Sequence, residues 1–146
     1  MIEVMARRII YAPVNLVSPL IRNFGSIGEG PPGLKNCLIE EKETGERAGA
    51  IRRLDMADAG LIREQRLALS DTNYAATFSI IESALPISNY RSTLSLLSVT
   101  DGTRTFIRWN GQFEGDAQDA VVMQARMPVQ IYQTAFNNLV SIILKK

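Results

Sequence analysis

The sequence predicts an α+β fold in which a seven-stranded, curved antiparallel sheet wraps around one long C-terminal helix. Three observations lead to this fold. Six strand-like segments follow one another across residues 35–113 with short turns between them, which is typical of an antiparallel meander. A seventh strand-like segment stands at the N-terminus. Residues 116–144 repeat apolar side chains at helical spacing, so they can cover the apolar face of the sheet.

The N-terminal part supplies the first strand and the short helices between strands one and two. Residues 4–13, VMARRIIYAP, have strand character that Pro13 ends. The next residues, VNLVSPLIRNFGSI, are apolar at helical spacing, and Pro19 within them indicates a short helix in one or two pieces. GEGPPG at 28–33 predicts a surface loop. It is not a phosphate-binding loop, because no Gly-Lys-Ser/Thr follows it.

The meander and the last helix follow from turn residues and periodicity. The six strand segments are 35–42, 47–54, 61–70, 74–82, 90–99 and 104–113. TDGT at 100–103 predicts a hairpin turn, because Asp-Gly accommodates positive φ. The last helix has no glycine, and we expect it to bend near Pro128. Its apolar stripe consists of Ala120, Met127, Ile131, Ala135, Leu139 and Ile142.

The composition excludes most familiar catalytic chemistry. The chain has no histidine and one cysteine, Cys37, so it offers no Ser-His-Asp or Cys-His nucleophile, no histidine-ligated metal and no internal disulfide. We therefore expect no metal and no cofactor. Cys37 is interpreted as a buried, inert thiol. Any chemistry would come from Asp, Glu, Arg, Lys or Tyr side chains, or from a cofactor that brings its own chemistry.

Length and charge place the chain in a broad class. A chain of 146 residues predicts one domain, 1–146. The net charge of +1 indicates no nucleic-acid partner and no acidic membrane partner. No apolar run approaches the roughly 20 residues of a membrane-spanning helix, and the N-terminus lacks the apolar core of a signal peptide. The sequence thus predicts a cytoplasmic protein without integral membrane contact.

One strand opens on a tyrosine directly after a Leu-Pro turn, in SALPISNYRSTLSL at 83–96. Strand alternation places Tyr90, Ser92, Leu94 and Leu96 on one face, which should point toward the last helix. Two interpretations of Tyr90 remain open. It either lines a pocket or packs in the core with its hydroxyl bonded to backbone.

Five motifs occur in an order that resembles a known superfamily. They are FGSI at 24–27, IREQRL at 62–67, ESALPISNYRSTLSL at 82–96, GTRTFIRWNGQFE at 102–114 and YQTAFNNLVSIIL at 132–144. Together they resemble the SRPBCC superfamily, also called the START-like or Bet v 1-like helix-grip fold. Within it, the chain is similar to the bacterial polyketide cyclase/dehydrase branch and to the plant abscisic-acid receptors. The resemblance covers nearly the whole chain.

The resemblance implies an internal pocket for a hydrophobic ligand, with the turn at Leu85 and Pro86 acting as a latch over its mouth. The matching glutamate, Glu64, would face the pocket; a solvated Glu64, or one paired with Arg66, is the alternative. Trp109 is expected to serve the core more than a specific ligand contact. The positions that match pocket-lining residues are Glu64, Arg66, Phe78, Ile80, Tyr90, Ser92, Ile107, Trp109, Met127, Ile131 and Ala135.

The sequence departs from the superfamily in GEGPPGLKNC. Many relatives carry an aromatic residue there, and the plant receptors carry a lysine that pairs with the hormone's carboxylate. Pro31 and Pro32 stand at the matching place, and Lys35 comes later. Recognition of an acid in the manner of the plant receptors is therefore not expected.

Three functions remain open at the level of sequence. The first is binding of a small hydrophobic or aromatic molecule, such as a lipid fragment or polyketide. The second is an aromatase/cyclase-type enzyme, with Glu64, Tyr90 and Arg66 as working residues. The third is a receptor whose closed latch recruits a partner. A homodimer is also compatible with the sequence.

Overall fold

The computed structural model describes residues 1–22, 34–39, 48–56, 60–70 and 74–144. The sequence motif at 24–27 and the loop predicted at 28–33 lie outside these residues. The sheet is antiparallel throughout, and its strands run in the spatial order β1-β7-β6-β5-β4-β3-β2. The strands are β1 (Ile2–Ile10), β2 (Leu34–Ile39), β3 (Ile51–Met56), β4 (Gly60–Ser70), β5 (Ala75–Glu82), β6 (Ser88–Ser98) and β7 (Thr105–Glu114).

Strands β2 to β7 form the meander that the turn residues predict, and β1 crosses over to pair with β7. One helix, α1 (Val14–Arg22), follows β1. Pro19 lies inside it without ending it. Its buried residues are Val17 and Ile21, and both pack in the core. The described part of the chain therefore confirms an α+β architecture with a short helix after the first strand.

The C-terminal helix is interrupted close to Pro128, where the sequence predicts a bend. It consists of α2 (Ala117–Arg126), a π-helical segment (Met127–Gln133) and α3 (Thr134–Leu144). Proline has no N–H to donate to the helix ladder, so the regular α-helical bonding pattern is weakest there. A π-helical turn takes one residue more than an α-helical turn, which shifts the face that all later residues present.

This shift corrects the apolar stripe predicted from a four-residue spacing. Met127 is 1% exposed, but Ile131 is 39% exposed and the next fully buried residue is Tyr132. Phe136 then follows Tyr132 at ordinary helical spacing and is also fully buried. The prediction that Ile131 follows Met127 on the buried face is wrong, because the π-helical segment moves that face by one residue. Ala135, next to Phe136, is only half-buried.

A bulge decides which residues of β4 face the helix. The register between β4 and β5 shifts between Arg66 and Ala68. Before the shift, Glu64 pairs with Ile80 and Arg66 with Phe78; after it, Leu69 pairs with Ala76. An extra residue in one strand reverses the alternation, so Glu64, Arg66 and Leu69 share the concave face. Strict alternation had left the orientation of Glu64 ambiguous.

The core lies between the concave face of the sheet and the buried sides of the helices. Its buried members include Ile10, Val17, Ile107, Phe113 and Phe136, and residues of α3 pack against it from the outside. Within the ranges given above, no helix combines the length and the apolar character needed to cross a bilayer.

Candidate functional site

The concave face of the sheet collects the strand residues singled out in the sequence. On neighbouring strands, Arg52 lies opposite Glu64 and Glu64 opposite Ile80. Likewise Arg66 lies opposite Phe78 and Phe78 opposite Ser92. Because residues two apart in a strand share a face, one surface carries all eight predicted strand positions. These are Glu64, Arg66, Phe78, Ile80, Tyr90, Ser92, Ile107 and Trp109.

Tyr90 reaches this face through an irregularity at the start of β6. The register between β6 and β7 shifts between Ser88 and Arg91, and Asn89 has a φ of 51°. Asparagine tolerates this left-handed conformation better than most residues, and its side-chain amide donates to Glu114 Oε2 at 2.7 Å. From Tyr90 onward the alternation is regular, and Tyr90, Ser92, Leu94 and Leu96 are all buried, as predicted.

The Tyr90 hydroxyl bonds to another side chain, not to backbone. Its oxygen lies 2.6 Å from that of Tyr132 in the π-helical segment. The ring of Tyr132 stacks on Trp109, with centroids 4.2 Å apart and an angle of 14° between the planes. The Tyr132 hydroxyl lies directly over Gly111, in the space that a Cβ at this position would occupy. Glycine at 111 is thus what lets the two hydroxyl groups meet.

Burial raises the pKa of both tyrosines, which extends the pH range over which they stay protonated. Loss of solvation raises the pKa of Tyr90 to about 12, with a smaller contribution in the same direction from the charge of Glu64 and opposing ones from the Ser92 and Tyr132 hydroxyls. Loss of solvation also raises the pKa of Tyr132, and the neighbouring Tyr90 adds to that shift. The pair can therefore donate and accept hydrogen bonds, but neither hydroxyl is a ready base.

Glu64 forms an ion pair with Arg52 of the neighbouring strand. Arg52 Nη2 lies 3.0 Å from Glu64 Oε1, and the two side chains are only 10% and 12% exposed. Neither sequence alternative, a solvated Glu64 or a pair with Arg66, describes this arrangement. The pair faces the core next to Phe78, whose ring centroid is 5.9 Å from the Arg52 guanidinium carbon. An ion pair of this kind gives the site a polar end.

Arg66 hydrogen-bonds to the C-terminal end of helix α1. It is fully buried, and its guanidinium donates to the carbonyl oxygens of Arg22 at 2.6 Å and Ile21 at 2.8 Å. These carbonyls belong to the last turn of α1, at the end of the helix that carries the negative end of the helix dipole. The position of Arg66 is therefore explained by helix capping, with Phe78 5.5 Å away on one side.

An apolar pocket lies between the predicted latch and the C-terminal helix. Its volume is about 300 Å³. Leu85 and Pro86 of the turn form one wall, and Leu85 also packs against the core. The helix supplies the remaining lining residues, which are Asp119, Val122, Met123, Arg126, Met127 and Ile131. The structure thus brings together four predicted positions from two distant parts of the chain: Leu85, Pro86, Met127 and Ile131.

Two of the buried polar atoms on the concave face make no hydrogen bond of regular geometry within the described ranges and belong to neutral side chains. They are Ser92 Oγ and Trp109 Nε1. Ser92 is only 2% exposed, so its hydroxyl is shielded from bulk water. Groups of this kind are available to a polar atom of a bound molecule. Trp109 was expected mainly as a core residue. Its ring stacks on Tyr132, and its indole N–H is available to a ligand.

The predicted positions do not all meet at one point. Ile107 is fully buried and pairs with Leu96 toward the far end of β6. Ala135 is half-buried and does not line the pocket beside the latch. In the described part of the chain, no group of three acidic or cysteine side chains is placed to hold a metal ion.

Sequence reasoning missed Tyr132 and Arg52. Tyr132 is out of phase with a four-residue stripe that starts at Met127, and only the π-helical segment brings it inside. A proline within a long amphipathic helix is a signal that such a shift is possible. Arg52 stands in IRRLDM among other charges, and no local pattern shows that its partner lies on the next strand.

The comparisons with known proteins agree with this architecture. The family model described as "Polyketide cyclase / dehydrase and lipid transport" matches residues 1–143. No curated protein matches the chain. Among solved structures, a protein from Nitrosospira multiformis is 26% identical with a TM-score of 0.78, covering 95% of this chain and 94% of its own.

More distant structures share the fold. A Bacillus cereus protein is 23% identical with a TM-score of 0.82, covering 99% of this chain and 96% of its own. Norcoclaurine synthase from Thalictrum flavum, solved with dopamine and hydroxybenzaldehyde, is 10% identical with a TM-score of 0.80. The alignment covers 98% of this chain and 86% of that enzyme. At such identities the likeness concerns the fold alone.

Proposed function

The chain belongs to the polyketide cyclase/dehydrase and lipid transport family, and we propose that it binds a small hydrophobic or aromatic molecule between the sheet and the C-terminal helix. The observation that carries the proposal is the apolar pocket of about 300 Å³ that Leu85 and Pro86 of the latch line together with Met127 and Ile131 of the helix. We place this one site in a single domain, 1–146.

The pocket supplies affinity through apolar contact. Its walls are mainly aliphatic and thioether side chains, and burial of apolar surface contributes roughly 25 cal/mol per Å². Methionine adapts its shape to irregular ligands, and two methionines, Met123 and Met127, line the helix side. Val122 and Ile131 are 45% and 39% exposed, so part of this apolar lining already reaches the surface.

The concave face supplies polar groups that would orient a bound ligand. Tyr90 follows Pro86 by four residues and Tyr132 follows Met127 by five; neither tyrosine lines the pocket itself, but each lies in the chain near a residue that does. A ligand that extends from the pocket to the concave face would meet the two tyrosine hydroxyls, the Ser92 hydroxyl and the Arg52–Glu64 pair as polar partners. A few polar groups in an apolar pocket are typical of small-molecule sites.

An aromatase/cyclase-type enzyme is the second candidate, favoured by the hydroxyl pair of Tyr90 and Tyr132 near Glu64. Protonated hydroxyls could hydrogen-bond an oxygen on which negative charge develops. Arg66, one of the three working residues expected from the sequence, is engaged with the carbonyls of α1 and is assigned no step. Turnover of a poly-β-ketone that is unchanged by Tyr90→Phe and Glu64→Gln would remove this candidate.

A titration with the apolar fluorophore 1-anilinonaphthalene-8-sulfonate tests the binding proposal. We expect saturable binding to the folded protein that Ile131→Asn weakens several-fold. Val129→Asn is the matched control, since Val129 lies in the same helical segment, is 65% exposed and does not line the pocket. Native mass spectrometry gives the stoichiometry. Absence of saturable binding, or equal loss in the two variants, would contradict the proposal.

A further inference from the structure

The convex face of the sheet carries an apolar row at one end. Register places Ile9 of β1 opposite Phe106 of β7, and Phe106 opposite Leu97 of β6. Ile9 is 37% exposed and Leu97 is 66% exposed. Tyr11, two residues beyond Ile9, is 82% exposed. Cross-strand neighbours form a continuous surface, so Ile9, Phe106 and Leu97 make one patch, and Tyr11 follows β1 at the same end of the sheet.

Two arginines stand directly opposite each other in the next row of the same face. Arg7 pairs in register with Arg108, and both are exposed. Like charges at directly opposed positions destabilise a sheet. Among the described residues no carboxylate forms an ion pair with either of them. Arg8, by contrast, points to the other face, where its guanidinium donates to Asn137 Oδ1.

The nearest acidic residue in the turn after Leu97 does not neutralise these arginines. Asp101 is held by Arg104, with 3.0 Å between Arg104 Nη2 and Asp101 Oδ2. On the other side of the arginine row is an open groove of about 550 Å³, whose polar lining residues include Glu3, Arg91, Asn110 and Gln112, so that one carboxylate and one guanidinium balance each other there. The patch is therefore both basic and apolar, with a polar groove beside it.

We propose that this basic-apolar patch, formed by Arg7, Arg108, Ile9, Phe106, Leu97 and Tyr11, docks the protein onto an anionic lipid bilayer. Guanidinium groups bind lipid phosphates, apolar side chains enter the region below the headgroups, and tyrosine is favoured at the boundary. A soluble acidic polymer would match the arginines but leave the apolar row in water. The patch is on the opposite face of the sheet from the proposed ligand site, so the two proposals are independent.

Co-sedimentation with vesicles tests the electrostatic part. We expect the protein to bind phosphatidylcholine vesicles that contain phosphatidylglycerol and to bind pure phosphatidylcholine vesicles much more weakly. The double variant Arg7→Gln/Arg108→Gln should lose about thirtyfold in affinity, from two juxtamembrane arginines. Arg53→Gln/Arg91→Gln removes the same charge from exposed positions elsewhere on the convex face and should retain most of the binding.

A second pair of variants tests the apolar part. Leu97→Ser should weaken vesicle binding several-fold, and Val121→Ser, at a similarly exposed valine on helix α2, should not. All substituted side chains are exposed, so thermal unfolding should show every variant folded. Equal binding to neutral and anionic vesicles, equal losses in the two arginine doubles, or an unaffected Leu97→Ser variant would each overturn the proposal. So would binding to polyglutamate as tight as binding to vesicles.

Discussion

The hydroxyl oxygens of Tyr90 and Tyr132 lie 2.6 Å apart and join strand β6 to the π-helical segment of the C-terminal helix. The contact depends on two irregularities: the register shift before Tyr90, and the extra residue per turn that rotates Tyr132 inward. It also depends on the missing side chain at Gly111. Because each hydroxyl is buried, neither has bulk water as an alternative partner.

Removing both hydroxyls should cost about as much as removing one. Tyr90→Phe or Tyr132→Phe leaves a buried hydroxyl without its partner, so each should lower the free energy of unfolding by about 1–3 kcal/mol. The double variant should lose about as much as either single variant. Urea denaturation of the four proteins measures the coupling, and Tyr11→Phe at an exposed position should have no effect. Additive losses would show that the hydroxyls do not interact.

Substitution of Gly111 should be rescued by removal of the Tyr132 hydroxyl. In Gly111→Ala the new Cβ would collide with the Tyr132 hydroxyl oxygen, so we expect a loss of about 1–3 kcal/mol from overpacking. In the Tyr132→Phe background the nearest remaining atoms are 3.1 Å and 3.3 Å away, and the additional cost should be smaller. Urea denaturation of the protein with and without Gly111→Ala, in the wild-type and in the Tyr132→Phe background, measures the difference between the two costs. An equal cost in both backgrounds would place the strain elsewhere.

Stability should fall in alkaline solution because of the same pair. In the unfolded chain a tyrosine ionises with a pKa near 10.0, but the pKa of Tyr90 in the folded protein is about 12 and that of Tyr132 is also raised. Below about pH 10 both states are protonated and the contribution is fully present. Above it the unfolded state releases protons first, so the free energy of unfolding falls by up to about 1.4 kcal/mol per pH unit for each tyrosine.

Urea denaturation across the alkaline range checks this dependence. The wild type should lose stability steadily as the pH rises from 10 toward 12, and Tyr90→Phe/Tyr132→Phe should show a shallower decline. The control is Tyr11→Phe, which should follow the wild type because Tyr11 is exposed in the folded state. Parallel curves for the wild type and the double variant would contradict the assignment.

Arg66 should be important for stability through helix α1. Lysine keeps the charge but cannot reproduce the fork that reaches the carbonyls of both Ile21 and Arg22. Arg66→Lys should therefore lower the free energy of unfolding by about 1–3 kcal/mol, and Arg66→Leu by more. Arg91→Lys, at an exposed position on β6, is the control and should be close to neutral. A neutral Arg66→Lys would mean that the capping contacts contribute little.

The sequence predicted the regular parts of the fold because they follow from simple periods. Alternation in β6 predicted the buried face from Tyr90 to Leu96, and the Asp-Gly turn at 101–102 lies between β6 and β7. The apolar repeat predicted the C-terminal helix. The resemblance singled out Leu85 and Pro86, and these residues line a pocket together with residues of that helix; their role as a latch stays a prediction.

The rest could not be predicted because single-residue insertions change a period without changing composition. The bulge after Arg66 and the π-helical segment after Met127 each add one residue, and each reverses or rotates every later side chain. The partner of Glu64 depended on strand register, which placed Arg52 beside it. The basic-apolar patch could not be predicted from the net charge of +1. A net charge does not show which charged residues lie side by side, as Arg7 and Arg108 do.

Filling the pocket beside the latch tests the central claim most directly. Val122 lines this pocket and its neighbour Val121 does not, although both are exposed on helix α2. The measurement is the affinity of 1-anilinonaphthalene-8-sulfonate for Val122→Trp and Val121→Trp, with equal folding confirmed by circular dichroism. The account predicts that Val122→Trp loses most of the probe affinity and Val121→Trp keeps it. Equal affinity in the two variants would contradict the claim that ligand binds between the latch and the helix.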